Sequence, residues 1–241
     1  MKQYKAILID WDDTIGDFVG AAKRALQEMY DKYNLSDYFA SHEEFVSLYK
    51  PHNLELWQRY GEDKITKVFL RIDRFLYPLL HGSKTQHSNF SIQELTVLAE
   101  QMSEDFLYLT TKYFSLLPEA EELVRYLAKK YPLTVVTNGF VEVQYEKFDK
   151  SGLRDCFAHI VLSEEVGCQK PNPRIYEEAL RLNNVSPSEA VMIGDSWNSD
   201  IQGALNAGID QIWIRKSRDP LPEGQSATYL VQSLSEVMEI L

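Results

Sequence analysis

The sequence predicts an α/β protein, a doubly wound parallel sheet that carries a separate helical insert. Two observations lead there. From about residue 118 to residue 214, short apolar runs alternate with amphipathic helical segments. That alternation implies parallel strands in one sheet with helices on both faces. Residues 18–114, by contrast, contain no comparable strand run, and their apolar residues recur at helical spacing.

The elements follow in order. Residues 4–9 (YKAILI) form a short apolar run ending at Asp10, the pattern of a strand buried on both faces. Within the insert, Ile65, Val68, Phe69, Ile72, Phe75, Leu76 and Leu79 share a helical period. So do Leu95, Leu98, Met102, Phe106, Leu109 and Tyr113. The polar stretch 81–91 between these two sets reads as a turn. A helix over 119–130, with Leu123, Val124 and Leu127 inward, leads to a strand at 132–137. A helix over 141–151 leads to a strand at 158–162. The helix over 173–184 opens with Asn172 as N-cap and Pro173 at the first helical position, where a missing N–H is tolerated. A strand at 190–194, a helix over 198–207 and a strand at 210–214 complete the series. The expected organisation is a core of residues 1–17 and 115–241, with residues 18–114 as a helical bundle placed after the first strand.

Composition limits the partners. The 241 residues include 25 Lys and Arg against 36 Asp and Glu, a formal net charge of −11. Such a balance argues against wrapping a nucleic-acid polymer or lying on an anionic membrane. A small anion is a different matter, because a metal ion or one lysine reverses the field locally. Two cysteines, Cys156 and Cys168, make neither a disulfide framework nor a zinc signature. The start shows no signal-peptide pattern, and no apolar run approaches the ~20 residues that span a bilayer. A cytoplasmic protein is expected.

Polar residues gather where strands end. Asp10, Asp12, Asp13 and Thr14 follow the first strand. Asp10 and Asp12 share a face of an extended segment, and paired carboxylates repel unless a cation or a proton relieves them. Alone, this motif is equally an acidic loop capping the next helix, with Asp13 as the cap. The strand at 132–137 ends in Thr137-Asn138-Gly139, which can present a hydroxyl and backbone N–H groups to an anion. The strand at 190–194 runs into Gly194-Asp195-Ser196, with Asp200 five residues past Asp195, and Lys170 precedes Pro171. Taken singly, these are a turn, a helix entry and a solvated loop. Four of them in this order, three at strand ends, are not a chance arrangement, since doubly wound sheets collect functional groups at the carboxyl ends of their strands.

In this order the four motifs resemble the haloacid dehalogenase (HAD) superfamily of phosphoryl-transfer enzymes. Thr137-Asn138-Gly139-Phe140 and Ser163-Glu164-Glu165-Val166-Gly167 look closest to its bacterial pyrimidine 5′-nucleotidase branch. The resemblance implies a Rossmann-like core with the insert as a substrate-selecting helical cap. It makes Asp10 the nucleophile that forms an aspartyl-phosphate and Asp12 the general acid and base. Thr137, Asn138 and Lys170 would hold phosphoryl oxygens, Lys170 also offsetting charge on the nucleophile. Mg²⁺ would be bound by Asp10, the backbone carbonyl of Asp12 and Asp195. Asp200 and Thr14 would stand behind these ligands, Asp200 orienting a metal-bound water or Lys170.

An acid at position 12 favours phosphoester chemistry, because the family's dehalogenase and phosphonatase branches depart from it there. It does not separate phosphatases from phosphomutases. The implied activity is hydrolysis of a small phosphorylated metabolite, with pyrimidine nucleoside monophosphates preferred. A sugar phosphomutase and a phosphatase for a non-nucleotide ester are the alternatives, and the protein would be a monomer or a homodimer. Phe18, Phe45, Trp57 and Tyr60 are candidate contacts for a base or sugar, with packing inside the insert as the competing role. Trp11 is expected to pack on a neighbouring loop. The five histidines and Cys168 carry no catalytic pattern.

Overall fold

The computed structural model describes residues 2–215, 224 and 226–241. The chain forms two compact units, residues 1–18 with 114–241 and residues 19–113. Six parallel strands build the sheet of the first unit: β1 (Ala6–Ile9), β2 (Leu133–Thr137), β3 (His159–Leu162), β4 (Ala190–Gly194), β5 (Asp210–Ile214) and β6 (Tyr229–Val231). Their spatial order is β3-β2-β1-β4-β5-β6. The chain order reverses beside β1, which pairs with β2 on one side (Ile9 opposite Val135) and with β4 on the other (Ile9 opposite Ile193). This is the switch point at which a doubly wound sheet opens a crevice beyond its strand ends.

The insert contains α1 (Phe18–Lys32), α2 (His42–Gly61), α3 (Lys67–His81) and α4 (Ile92–Lys112). Side chains start the last three. Ser41 accepts from Glu44 N, Thr66 accepts from Phe69 N, and Ser91 with Glu94 closes a reciprocal capping box. Phe39, Phe45, Phe75 and Phe106 are wholly buried or nearly so and make the aromatic core of this unit. Phe45 packs on Tyr30, Phe39 and Tyr49. It is therefore a core residue, with no face left for a nucleobase. Trp57 and Tyr60 are half-buried and meet edge to face at 6.0 Å. The segment 81–91 holds one short 3₁₀ turn, Thr85–His87; the His87 side chain lies outside the described residues.

The sheet is flanked by α5 (Ala120–Ala128), α6 (Val141–Ser151), α7 (Ser163–Val166), α8 (Pro173–Asn183), α9 (Gln202–Asn206) and α10 (Leu234–Ile240). Alternation along the strands sorts the core into two layers. Ile7, Ile9, Val135, Val191, Ile193 and Ile212 pack with Leu123, Val124 and Leu127 of α5 and Val237 of α10. Leu8, Val136 and Met192 pack on the other face with Ile175, Tyr176 and Ala179 of α8. Each such aliphatic side chain contributes roughly 1.5–3 kcal/mol on burial. Asn172 caps α8 by accepting from Arg174 N at 3.1 Å.

Three features depart from the sequence reading. The helix expected over 198–207 is a π turn, Trp197–Ile201, followed by α9. An additional strand and helix, β6 and α10, follow residue 214. Asp13 does not cap the next helix, because α1 begins only at Phe18. Asp13 instead sits at φ 63° in a tight turn, its N–H donating to Gly16 O at 2.7 Å. Beyond that turn the chain entering the insert and the chain leaving it are joined within the first unit. Asp17 N donates to Ser115 O and Leu117 N to Ile15 O, each at 2.9 Å, around an antiparallel Gly16–Leu116 bridge. Among the described residues, no helix is long and apolar enough to cross a membrane.

Candidate active site

Asp10 is the first residue beyond β1, and its N–H still donates to Ile193 O of β4 at 2.9 Å. The carboxylate is thereby fixed at the switch point. Trp11 turns away into the core, against Phe114 (ring centroids 5.8 Å, stacked), Phe148 (4.6 Å) and Phe157 (5.9 Å). That aromatic packing anchors the turn that carries Asp10 and Asp12.

Lys170 reaches Asp10 from the loop before α8. Its ammonium donates to Asp10 Oδ1 at 2.5 Å and to Asp200 Oδ1 at 2.6 Å, with both carboxylates almost fully buried. Asp200 lies in the π turn, where its Oδ2 accepts from Ser196 N at 3.0 Å. A Cβ at Gly194 would collide with the Asp200 side chain, so the strand must end in glycine for this approach. Asp195 is held beside them, its carbonyl accepting from Trp213 Nε1 at 2.9 Å and its Oδ1 from the buried Thr14 hydroxyl at 3.3 Å. One carboxylate oxygen from each of Asp10, Asp195 and Asp200 lies within 4.8 Å of the others.

Burial pushes the Asp10 carboxyl well above its ordinary range; Lys170 opposes this, and Asp200 and Asp195 add to it. Burial also disfavours the Lys170 ammonium, but Asp10 and Asp200 outweigh it and hold the amine above its ordinary value. Among the described residues, the Lys170 ammonium pairs with Asp10 and Asp200, and Asp195 brings a third carboxylate beside them. The donor atoms are all hard oxygens, so the residues fit a divalent metal of the magnesium kind.

The end of β2 carries a second group of polar residues. Thr137 Oγ1 accepts from Gly139 N at 3.1 Å and from Gln144 Nε2 at 2.8 Å. Asn138 faces Lys170, and each end of its amide engages the lysine main chain. The backbone is therefore what Asn138 leaves for an anion. Asp12 lies apart from the Lys170 cluster in its contacts. Its Oδ1 accepts from Lys147 Nζ and its Oδ2 from Gln144 Nε2, both at 2.9 Å. Neither α6 residue was identified from sequence. The available signal was two polar residues, three apart, on the face of an amphipathic helix that also carries Val143 and Phe148.

Phe18 opens α1 with the Lys147 ammonium 5.0 Å from its ring centre. Cys168 is a partly buried thiol, in no disulfide, packed against the α8 layer of the core. His52 pairs with Asp73 at 2.8 Å and His81 bonds to the Tyr77 carbonyl at 2.7 Å, both within the insert.

Strand order and the placement of the acidic cluster define the class: a doubly wound α/β enzyme with its polar groups gathered at the carboxyl ends of β1, β2 and β4. A family model described as haloacid dehalogenase-like hydrolase matches residues 4–208. The chain belongs to that family, and within it is a phosphatase of the HAD superfamily. Its similarity to the pyrimidine 5′-nucleotidase YjjG of Escherichia coli is 30% identity over 238 residues, covering 98% of this chain and 96% of that protein. The pyrimidine 5′-nucleotidase PynA of Streptococcus pneumoniae is also 30% identical, over 240 residues, with 99% and 95% covered. Among solved structures, the magnesium-bound HAD-hydrolase YfnB of Bacillus subtilis superimposes with a TM-score of 0.82 at 28% identity, covering 100% of this chain and 99% of that one.

Proposed function

We propose that the protein is a cytoplasmic, Mg²⁺-dependent phosphomonoesterase that acts through an aspartyl-phosphate, with pyrimidine nucleoside 5′-monophosphates as its substrate class. The observation that carries this reading is Lys170, whose buried ammonium joins Asp10 to Asp200 where β1 and β4 end. An ionised, positioned carboxylate is what nucleophilic attack on phosphorus needs, and Lys170 favours that ionised form.

In the first step an Asp10 oxygen attacks phosphorus and the bond to the ester oxygen breaks, Asp12 delivering the proton that the departing alcohol needs. In the second step Asp12 takes a proton from water, which attacks the same phosphorus and releases inorganic phosphate and free Asp10. Lys170, the Thr137 hydroxyl and the backbone N–H groups after β2 bind the phosphoryl oxygens throughout. Asp10, Asp195 and the Asp12 carbonyl are the residues that would hold Mg²⁺, which when bound supplies charge neutralisation at the phosphoryl group. Asp200 keeps Lys170 in place. The likeness to two pyrimidine 5′-nucleotidases over nearly the whole chain supports the substrate class, and the helical insert is the part of the chain to which we assign its choice.

Phosphate release from a panel of nucleotides, sugar phosphates and short-chain phosphomonoesters, with Mg²⁺ and with EDTA, tests the reading. Pyrimidine monophosphates are expected to be hydrolysed fastest, EDTA to abolish turnover, and D10N to be inactive. Purine preference, or a sugar phosphate as the best substrate, would refute the substrate class. An inactive wild-type enzyme would refute the phosphatase reading itself.

A further inference from the structure

We infer that Gln144 and Lys147 of α6 are positioning residues that set the orientation of Asp12 and tie it to the phosphoryl-binding end of β2. The inference rests on Asp12 being the acid and base of the proposed reaction. Its basis is geometric. The two residues stand one helical turn apart on the same face of α6, and each donates to a different oxygen of the same carboxylate at 2.9 Å. Two donors on two oxygens fix the rotation of the carboxylate plane. Each oxygen keeps a second lone pair, on which a proton can arrive or leave.

Gln144 makes a further link. Its Nε2 also donates to Thr137 Oγ1 at 2.8 Å, so one amide nitrogen connects the acid and base to the residue assigned to the phosphoryl oxygens. The link requires glycine at 139, where any Cβ would overlap the Gln144 side chain. Lys147 is only 2% exposed, an uncommon place for a lysine, and its ammonium meets Asp12 with the Phe18 ring 5.0 Å away. An ion pair with its lysine buried is a poor device for stability, since a well-packed apolar replacement is often as good. Its use here is orientation: proton transfer needs the donor within hydrogen-bond reach of the reacting oxygen, and a misplacement of about 1 Å can cost on the order of 100-fold in rate.

The test compares K147M, K147R and Q144L with wild type and D12N on two esters. One is a nucleoside monophosphate, whose alkoxide leaving group needs a proton. The other is p-nitrophenyl phosphate, whose phenolate departs without one. Expected for K147M and Q144L is a fall in kcat on the order of 10–100-fold on the nucleotide. KM should stay within about twofold and the loss of phosphoenzyme formation on the aryl ester should be smaller. K147R should recover part of the nucleotide activity, and K147M should add little in the D12N background. Equal losses of phosphoenzyme formation on both esters, or full additivity with D12N, would overturn the inference while leaving the phosphatase reading intact. Should K147M fail to fold, Q144L and K147R decide by the same criteria. A wild-type protein without phosphatase activity would overturn both.

Discussion

Asn138 grips Lys170 by its main chain: its Oδ1 accepts from Lys170 N at 2.8 Å and its Nδ2 donates to Lys170 O at 3.0 Å. The β2 loop therefore sets where the lysine backbone lies, and through it where the ammonium meets Asp10. N138A removes both bonds, a loss of about 1–3 kcal/mol in stability. Phosphate release should drop by on the order of 100-fold as Lys170 shifts. Steady-state kinetics alongside thermal unfolding check this. Unchanged turnover in a destabilised N138A would show that Lys170 keeps its place without the clasp.

Cation binding should stabilise the fold. Asp10, Asp195 and Asp200 bring one oxygen each within 4.8 Å, and Lys170 pairs with Asp10 and Asp200. A cation that binds the folded state at a hundredfold excess over its Kd contributes about 2.7 kcal/mol. Thermal unfolding of the wild type with Mg²⁺ should rise relative to EDTA, and D195N should lose most of that rise. An identical Mg²⁺ response in D195N would place the cation elsewhere.

Acid sensitivity has a source far from this site. Burial pushes the Asp210 carboxyl up, but hydrogen bonds from Lys2 Nζ and Tyr4 OH, both 2.7 Å, outweigh it and hold the group below its ordinary value. A carboxyl depressed in the folded state contributes stability that is fully present above its unfolded pKa of about 4. That contribution is lost as pH falls through the depressed value. Denaturant unfolding between pH 7 and pH 2 should show this loss, and D210N should be weaker at pH 7 with a flatter acid limb.

A buried cation in the insert should be dispensable. Arg74 is 2% exposed, its Nε and Nη2 have no hydrogen-bond partner among the described residues, and the Phe106 ring lies 4.6 Å away. Burial disfavours its charged form, and the penalty of holding it charged is present at neutral pH. R74M should be neutral or stabilising by up to about 3 kcal/mol in denaturant unfolding. Strong destabilisation would mean that the aromatic face compensates the charge in full.

Which features were legible in the sequence follows from how local their causes are. The first five strands announced themselves because most of their residues are buried, leaving short, mainly apolar runs. β6 did not, since only Val231 of its three residues is buried and Leu230 is exposed at the sheet edge. Asn172 and Pro173 marked the start of α8 because capping is decided within one turn. The four motifs identified the residues that the fold gathers near Asp10, but not what each one touches. Lys147 and Gln144 looked like ordinary helix surface, and only the packing of α6 beneath the β1 turn, 132 and 135 positions from Asp12, turns them inward. Asn138 was assigned to the phosphoryl group, whereas its side chain meets a backbone 32 residues away. Phe45 shows the same limit, for an aromatic on a helix reads alike whether it meets a ligand or a core.

The hydrogen-bonded crossing at Gly16 and Leu116 gives the insert a single closed doorway. A chain that leaves and returns at one latched point can change its length without moving the ends that the crossing holds. Segments of other sizes and sequences could therefore be transplanted between residues 17 and 115 without re-registering a single strand. Selection on the insert and selection on the sheet can then proceed at different rates, and a library built only in residues 19–113 should retain a folded core in most of its members.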